Sequence, residues 1–100
     1  MKPVSKTIFV KDAKNIILND EFISVRNADK LTETVSFHDV LDMSSLDIAA
    51  LLIGLEQIYN VGLQWATDPV DSINDVYVLY LKSLQKFNQQ KRVHPIIKQR

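Results

Sequence analysis

One hundred residues hold one ordinary domain, with interior for a single core and no room for a second. A hydrophobic fraction of 46% excludes a disordered chain, and twelve basic against twelve acidic residues remove any whole-molecule charge argument for nucleic acid or membrane binding. The absence of cysteine excludes a disulfide framework, a thiolate metal site and a thiol nucleophile.

In chain order, the first forty residues read as strands. Val4 to Val10 is β-branched and aromatic, and Ile16-Ile17-Leu18 is a short apolar run. Between Phe22 and Asn27 the alternation puts Ile23 and Val25 on one face. From Thr32 to Val40 it puts Val35 and Phe37 opposite Thr34, Ser36 and His38. Lys11 to Asn15, Asn19-Asp20 and Asn27 to Lys30 have turn chemistry. Short connections between successive strands predict an antiparallel meander of about four strands over residues 1–40, because parallel neighbours need long crossovers.

The pattern then becomes helical. Ser44-Ser45-Leu46-Asp47 fits a capping box. At 100° per residue, Ile48, Leu51, Leu52, Leu55, Ile58, Tyr59, Gly62 and Ala66 share one face, which predicts a helix from about Leu46 to Trp65. Gly54 lies inside it, at an intrinsic cost of about 1 kcal/mol. Asp68-Pro69 with Asp71 predicts a second helix start, and its buried stripe would be Val70, Ile73, Val76, Tyr77, Tyr80, Leu81, Leu84 and Phe87. Pro95 predicts an end near Arg92. The fold expected is α+β: a meander, an antiparallel helical hairpin over 45–92 that packs on it, and a flexible basic tail over 93–100.

Signatures of catalysis fail at the first test. Two glycines, both inside the predicted first helix, make no phosphate-cradling loop, and neither His-Glu-x-x-His nor Gly-x-Ser-x-Gly occurs. His38, Asp39 and Asp42 form the one cluster that could bind a metal or move a proton. Successive strand residues point to opposite faces, however, so a sheet-edge histidine is the plainer reading. Asp68, Asp71 and Asp75 make a carboxylate trio, which a helix N-terminus explains through its dipole. His94, before a proline in a polar tail, reads as solvated. No catalytic residue, metal site or cofactor is expected.

Charge is segregated along the chain. Leu31 to Leu81 holds eight acidic residues and no lysine or arginine, whereas Lys82 to Arg100 holds six basic residues and no acid. A helix dressed to suit its own dipole explains part of this. The basic run continues past the expected helix end, so Lys86, Lys91, Arg92, Lys98 and Arg100 are candidate polyanion contacts. Apolar residues left on the polar faces, Ile53, Val78 and Leu79, with Trp65 beside the inter-helix turn, are a candidate interface.

The expectation is a non-enzymatic protein-interaction module of the adaptor, inhibitor, immunity or assembly-chaperone kind, acting through its helical hairpin on a protein partner or on itself as a homodimer. The alternative is a nucleic-acid-binding regulator that uses the basic end. The N-terminal residues show no apolar h-region and the stretch from Leu46 to Ala66 is interrupted by polar residues, so a cytoplasmic chain with no membrane partner is expected.

Overall fold

The computed structural model describes residues 2–63 and 69–98, with side chains described as far as Lys86. Its elements are α1 (Lys6–Asn19), a single 3-10 turn (Ala28–Lys30), α2 (Ser45–Tyr59) and α3 (Ile73–Lys98). Among the described residues there is no strand. The α+β expectation and its N-terminal meander are therefore wrong, and the regular elements of the described residues are all helical.

The first helix forms where β-branched composition had suggested a strand. Ser5 caps it, its hydroxyl accepting the Ile8 N–H at 3.3 Å. Phe9, Ala13 and Ile17 recur every four residues, with Val10 and Ile16 alongside, and these positions face the core. Of the residues expected to form a turn, Lys11 and Asn15 lie on the outer side of that helix, Asp12 and Lys14 on its half-buried flanks, and Ala13 in the core. Asn19-Asp20 ends the helix and turns no hairpin. The Asp20 N–H donates to the Ile16 carbonyl at 2.9 Å, and the Asp20 carboxylate accepts the Phe22 N–H at 2.8 Å.

Residues 20–44 cross the molecule as an irregular, pinned segment. Ile23, Leu31, Phe37, Leu41 and Met43 are buried and anchor it to the core. Its backbone groups find partners without a ladder: Arg26 N–H to Leu41 O at 2.9 Å, Phe37 N–H to Asp71 O at 2.7 Å, and Asn74 N–H to Glu33 O at 2.8 Å. Asn27 and Asp42 take left-handed φ values of 54°, a conformation that short polar side chains tolerate.

The capping box at α2 is present as expected. Ser44 Oγ accepts the Asp47 N–H at 3.1 Å and Asp47 Oδ2 accepts the Ser44 N–H at 2.8 Å. The helix stops at Asn60, earlier than predicted, because that residue adopts φ 55° and its N–H closes on Glu56 O at 2.8 Å. Glu56 then accepts the Leu63 N–H at 2.8 Å, which turns Val61 and Leu63 back into the core. Gly62 is exposed beyond the helix and serves no close contact, contrary to its predicted place on the buried face.

The principal helix packing is α1 on α2 and α1 on α3, so the unpredicted helix is the central one and the expected two-helix hairpin is not the organising unit. Gly54 marks the first of these contacts. A Cβ there would sit 3.1 Å from Ile16 Cδ1. That atom ends a half-exposed side chain that can turn aside, so the helix propensity gained should dominate. Gly54→Ala is expected to leave stability unchanged or to raise it by up to about 1 kcal/mol. Gly54→Leu, which must push α1 away, should cost about 1–3 kcal/mol. Urea denaturation of both variants measures the difference. An alanine that costs as much as the leucine would mean the two helices cannot adjust at all.

The third helix begins at Ile73, not Pro69, with Ser72 Oγ accepting the Asp75 N–H at 3.1 Å. It runs to Lys98, through Pro95 and through most of the stretch read as a flexible tail. Its buried side takes in Ile73, Val76, Leu79, Tyr80 and Leu84. Tyr80, Tyr77, Tyr59 and Phe9 form an aromatic cluster with ring centroids 5.0–5.9 Å apart.

Candidate interaction surface

The three helices leave one surface with an unusual composition. On α2 the residues Leu46, Ala49 and Ile53 recur at helical spacing on the side turned away from the core, with Ala50 beside them partly buried against it. Leu46 is 81% exposed and Ile53 46%, with the two alanines half-buried between them. Polar residues nearby, Ser45 and Gln57, are uncharged.

Only two side chains of α2, Asp47 and Glu56, are charged carboxylates, and both are engaged inward. Glu56 holds Leu63, as described above. Asp47 is buried, and besides the capping box it accepts the Ser24 N–H at 3.2 Å. Burial alone would raise its pKa. The hydrogen bonds from the Ser44 and Ser24 amides and the Ser44 hydroxyl outweigh that and hold it below the ordinary carboxylate range. A surface helix normally turns a charged side to water. This one turns out leucine, alanine and isoleucine.

The bond from Ser24 to Asp47 also ties the end of α1 to the start of α2. Phe22, two residues before Ser24, is 79% exposed, so the two most exposed large apolar side chains of the described residues, Phe22 and Leu46, belong to the same end of the fold. Beside α2 runs an open groove of about 310 Å³, lined by Ser45, Ile48, Ala49, Leu52, Pro69, Val70 and His38. A second, of about 200 Å³, lies on the far side of Pro69-Val70 and is lined by Asp75, Val78, Leu79 and Lys82.

Asp71 positions the wall of the first groove. Its carboxylate accepts the Ser36 hydroxyl at 2.6 Å, the His38 N–H at 3.1 Å and, from the His38 ring, Nδ1 at 2.9 Å. The Ser36 bond, then the His38 bonds, keep this carboxyl below its ordinary range against the opposing effect of burial. Sequence reading had made Asp71 part of the helix start. It is instead a long-range anchor that fastens the 36–41 turn to the approach of α3.

His38 is therefore not joined to Asp39 and Asp42. The Asp39 N–H goes to Ser36 Oγ at 2.9 Å, and Asp42 pairs with Arg26 at 3.4 Å on the surface. Among the described residues no group of three or more His, Asp or Glu side chains could hold a metal. The carboxylate trio is likewise not one site: Asp75 accepts the Asp71 N–H at 2.9 Å, and Asp68 lies outside the described residues.

Of the expected interface residues, Ile53 and Val78 are exposed, at 46% and 45%. Leu79 is a correction: it is 3% exposed and belongs to the core, because the buried arc of α3 extends to its side, while Leu81, assigned to the core, is partly exposed. Trp65 lies outside the described residues, as does Arg100. Lys86 is exposed on α3. Lys91, Arg92 and Lys98 fall within the same helix, beyond the last described side chain. Leu46 and Phe22 were missed. Leu46 was legible as an apolar residue next to the helix cap, pointing opposite to the Leu51–Leu55 side.

Among the described residues no helix is long and apolar enough to cross a membrane. No protein-family model matches the chain, and no solved structure matches it significantly.

Proposed function

We propose that the protein is a non-enzymatic interaction module that binds another protein through the outer face of α2 and the flanking Pro69-Val70 ridge, in the cytoplasm. The observation that carries this reading is the uncharged apolar stripe Leu46, Ala49 and Ile53 on a helix whose two carboxylates are both engaged inside the fold. Contiguous apolar surface of this kind, bordered by polar residues, is what binding partners cover. The adjoining groove is open and lined mainly by aliphatic side chains, a shape suited to receiving a partner's side chains.

Affinity capture from host lysate with the native chain and a Leu46→Glu/Ile53→Glu variant tests this. Both side chains are exposed, so the variant should keep the far-UV helical spectrum. The expected result is a set of proteins retained by the native chain and at least about tenfold depleted on the variant, since interface centres tolerate charge poorly. Identical retention by both chains would sink the assignment of this face.

A further inference from the structure

The α2 face is arranged symmetrically along its helix. Leu46 and Ile53 are exposed and stand seven positions apart, roughly 10 Å along the axis at about 1.5 Å per residue. Their midpoint falls between Ala49 and Ala50, both half-buried, so the order along the face is large, small, small, large. It reads the same from either end. No free charge interrupts it, since Asp47 and Glu56 are bound inside the fold and the polar neighbours Ser45 and Gln57 are neutral.

We infer that the occupant of this face is the same face of a second copy, packed antiparallel about a two-fold axis that passes between Ala49 and Ala50. The inference rests on the α2 face being an interface and names what covers it. A two-fold pair sets a surface against itself, so it requires a pattern that reversal leaves unchanged, and positions 46 to 53 provide one. Leu46 of one copy meets Ile53 of the other at both ends of the contact. The alanines at the axis let the helices approach to the near end of the usual spacing of about 8–10 Å. Charge fits this occupant, because a charged face would be repelled by its own copy and this one is neutral. Asp39 and Asp42, exposed before the start of α2, come beside the uncharged Gln57 and Asn60 end of the other helix, and the two helix dipoles run in opposite directions. Area fits as well. Leu46, Ile53 and Phe22 together leave roughly 400 Å² of side chain uncovered per copy. A pair that covers them buries roughly 800 Å², and Ala49, Ala50 and Gln57 raise the sum to about the 1,000 Å² that a specific interface needs.

Sedimentation velocity on the full chain across a concentration series tests the inference, with Leu46→Glu, Ile53→Lys and a chain carrying both changes. The native chain should form a reversible dimer. Each single change sets a charge against an apolar side chain twice per pair and should weaken the dimer at least about tenfold. The double variant sets Glu against Lys at both contacts, so it should associate at least about threefold more tightly than either single variant, a gain that shrinks as salt rises. The chain has no cysteine, which allows a second reading of the register: Leu46→Cys mixed with Ile53→Cys should oxidise to a cross-linked pair, and neither alone should do so as readily. A chain that stays monomeric throughout overturns the inference, while the lysate comparison still judges the face. Other proteins retained in that comparison without the chain itself would support the face and overturn self-pairing. A dimer untouched by both single changes forms elsewhere and overturns the inference. Loss in both single variants with no recovery in the double one, or cross-linking by Leu46→Cys alone, means a different register and overturns the antiparallel two-fold pair.

Discussion

Replacing Phe9 with alanine should cost about 3–5 kcal/mol, enough to unfold much of a domain whose total stability is of order 5–15 kcal/mol. Phe9 is fully buried, and its ring lies 5.0–5.6 Å from the rings of Tyr77, Tyr80 and Tyr59. Truncation removes the centre of that cluster and leaves a cavity that the three neighbouring tyrosine rings cannot fill. They are themselves restrained. The Tyr77 hydroxyl donates to Val4 O at 3.0 Å, the Tyr80 hydroxyl accepts the Val4 N–H at 3.1 Å, and the Tyr59 hydroxyl donates to Asp12. Burial, then the Asp12 carboxylate, raises the Tyr59 pKa, so that phenol stays protonated and keeps its bond. The matching control is Phe22→Ala, at a 79% exposed position, which should change stability by less than about 0.5 kcal/mol. Urea unfolding monitored by circular dichroism measures both. If the two variants proved equally mild, α1 would not be seated on the tyrosines and the helical reading of residues 6–19 would fail with it.

That helix was the least legible part of the chain, for a physical reason. Val4, Thr7, Ile8 and Val10 favour strands by composition, yet the decisive signal was the spacing of Phe9, Ala13 and Ile17. It was hidden because Ala13 is small and sits among Lys11, Asp12, Lys14 and Asn15. Residues 20–44 misled differently. Alternation at Ile23 and Val25, or Val35 and Phe37, is what a strand shows, but a segment pinned to a core at intervals shows it as well. Only the hydrogen-bond partners separate the two cases, and those are remote: Phe37 and His38 bond to Asp71, more than thirty positions on. The start of α2 was legible because its cap is local, with Ser44 and Asp47 three residues apart. The α2 face was legible in Ile53 and missed in Leu46. Whether an apolar residue at a helix start is covered depends on what crosses it, and the expected sheet would have been that cover. Gly54 had no account until α1 existed to place Ile16 against it.

Asp47→Ala should be the second severe variant, at about 2–4 kcal/mol, because it removes the helix cap and leaves two part-buried hydrogen bonds, from the Ser44 and Ser24 amides, without their acceptor. The loss would be felt beyond α2, since the Ser24 bond is what fastens the chain leaving α1 to the α2 N-terminus. The same geometry sets a pH dependence. The folded pKa of Asp47 is depressed below its unfolded value of about 3.9, so between the two values the unfolded chain binds more protons, and stability rises with pH there. The contribution is complete above the unfolded value and disappears as pH falls through the folded one. Asp71, depressed mainly by Ser36 and more exposed, adds a smaller slope of the same sign in the same acidic window. Asp47→Asn keeps the shape of the cap without the titration. Its stability deficit against the native chain should be largest near about pH 7 and shrink toward zero as pH falls through the lowered folded pKa of Asp47. Urea midpoints for both chains across that range decide the matter. The absence of a deficit at any pH would show that the Asp47 cap acts through shape alone, and that its charge contributes nothing to holding the ends of α1 and α2 together.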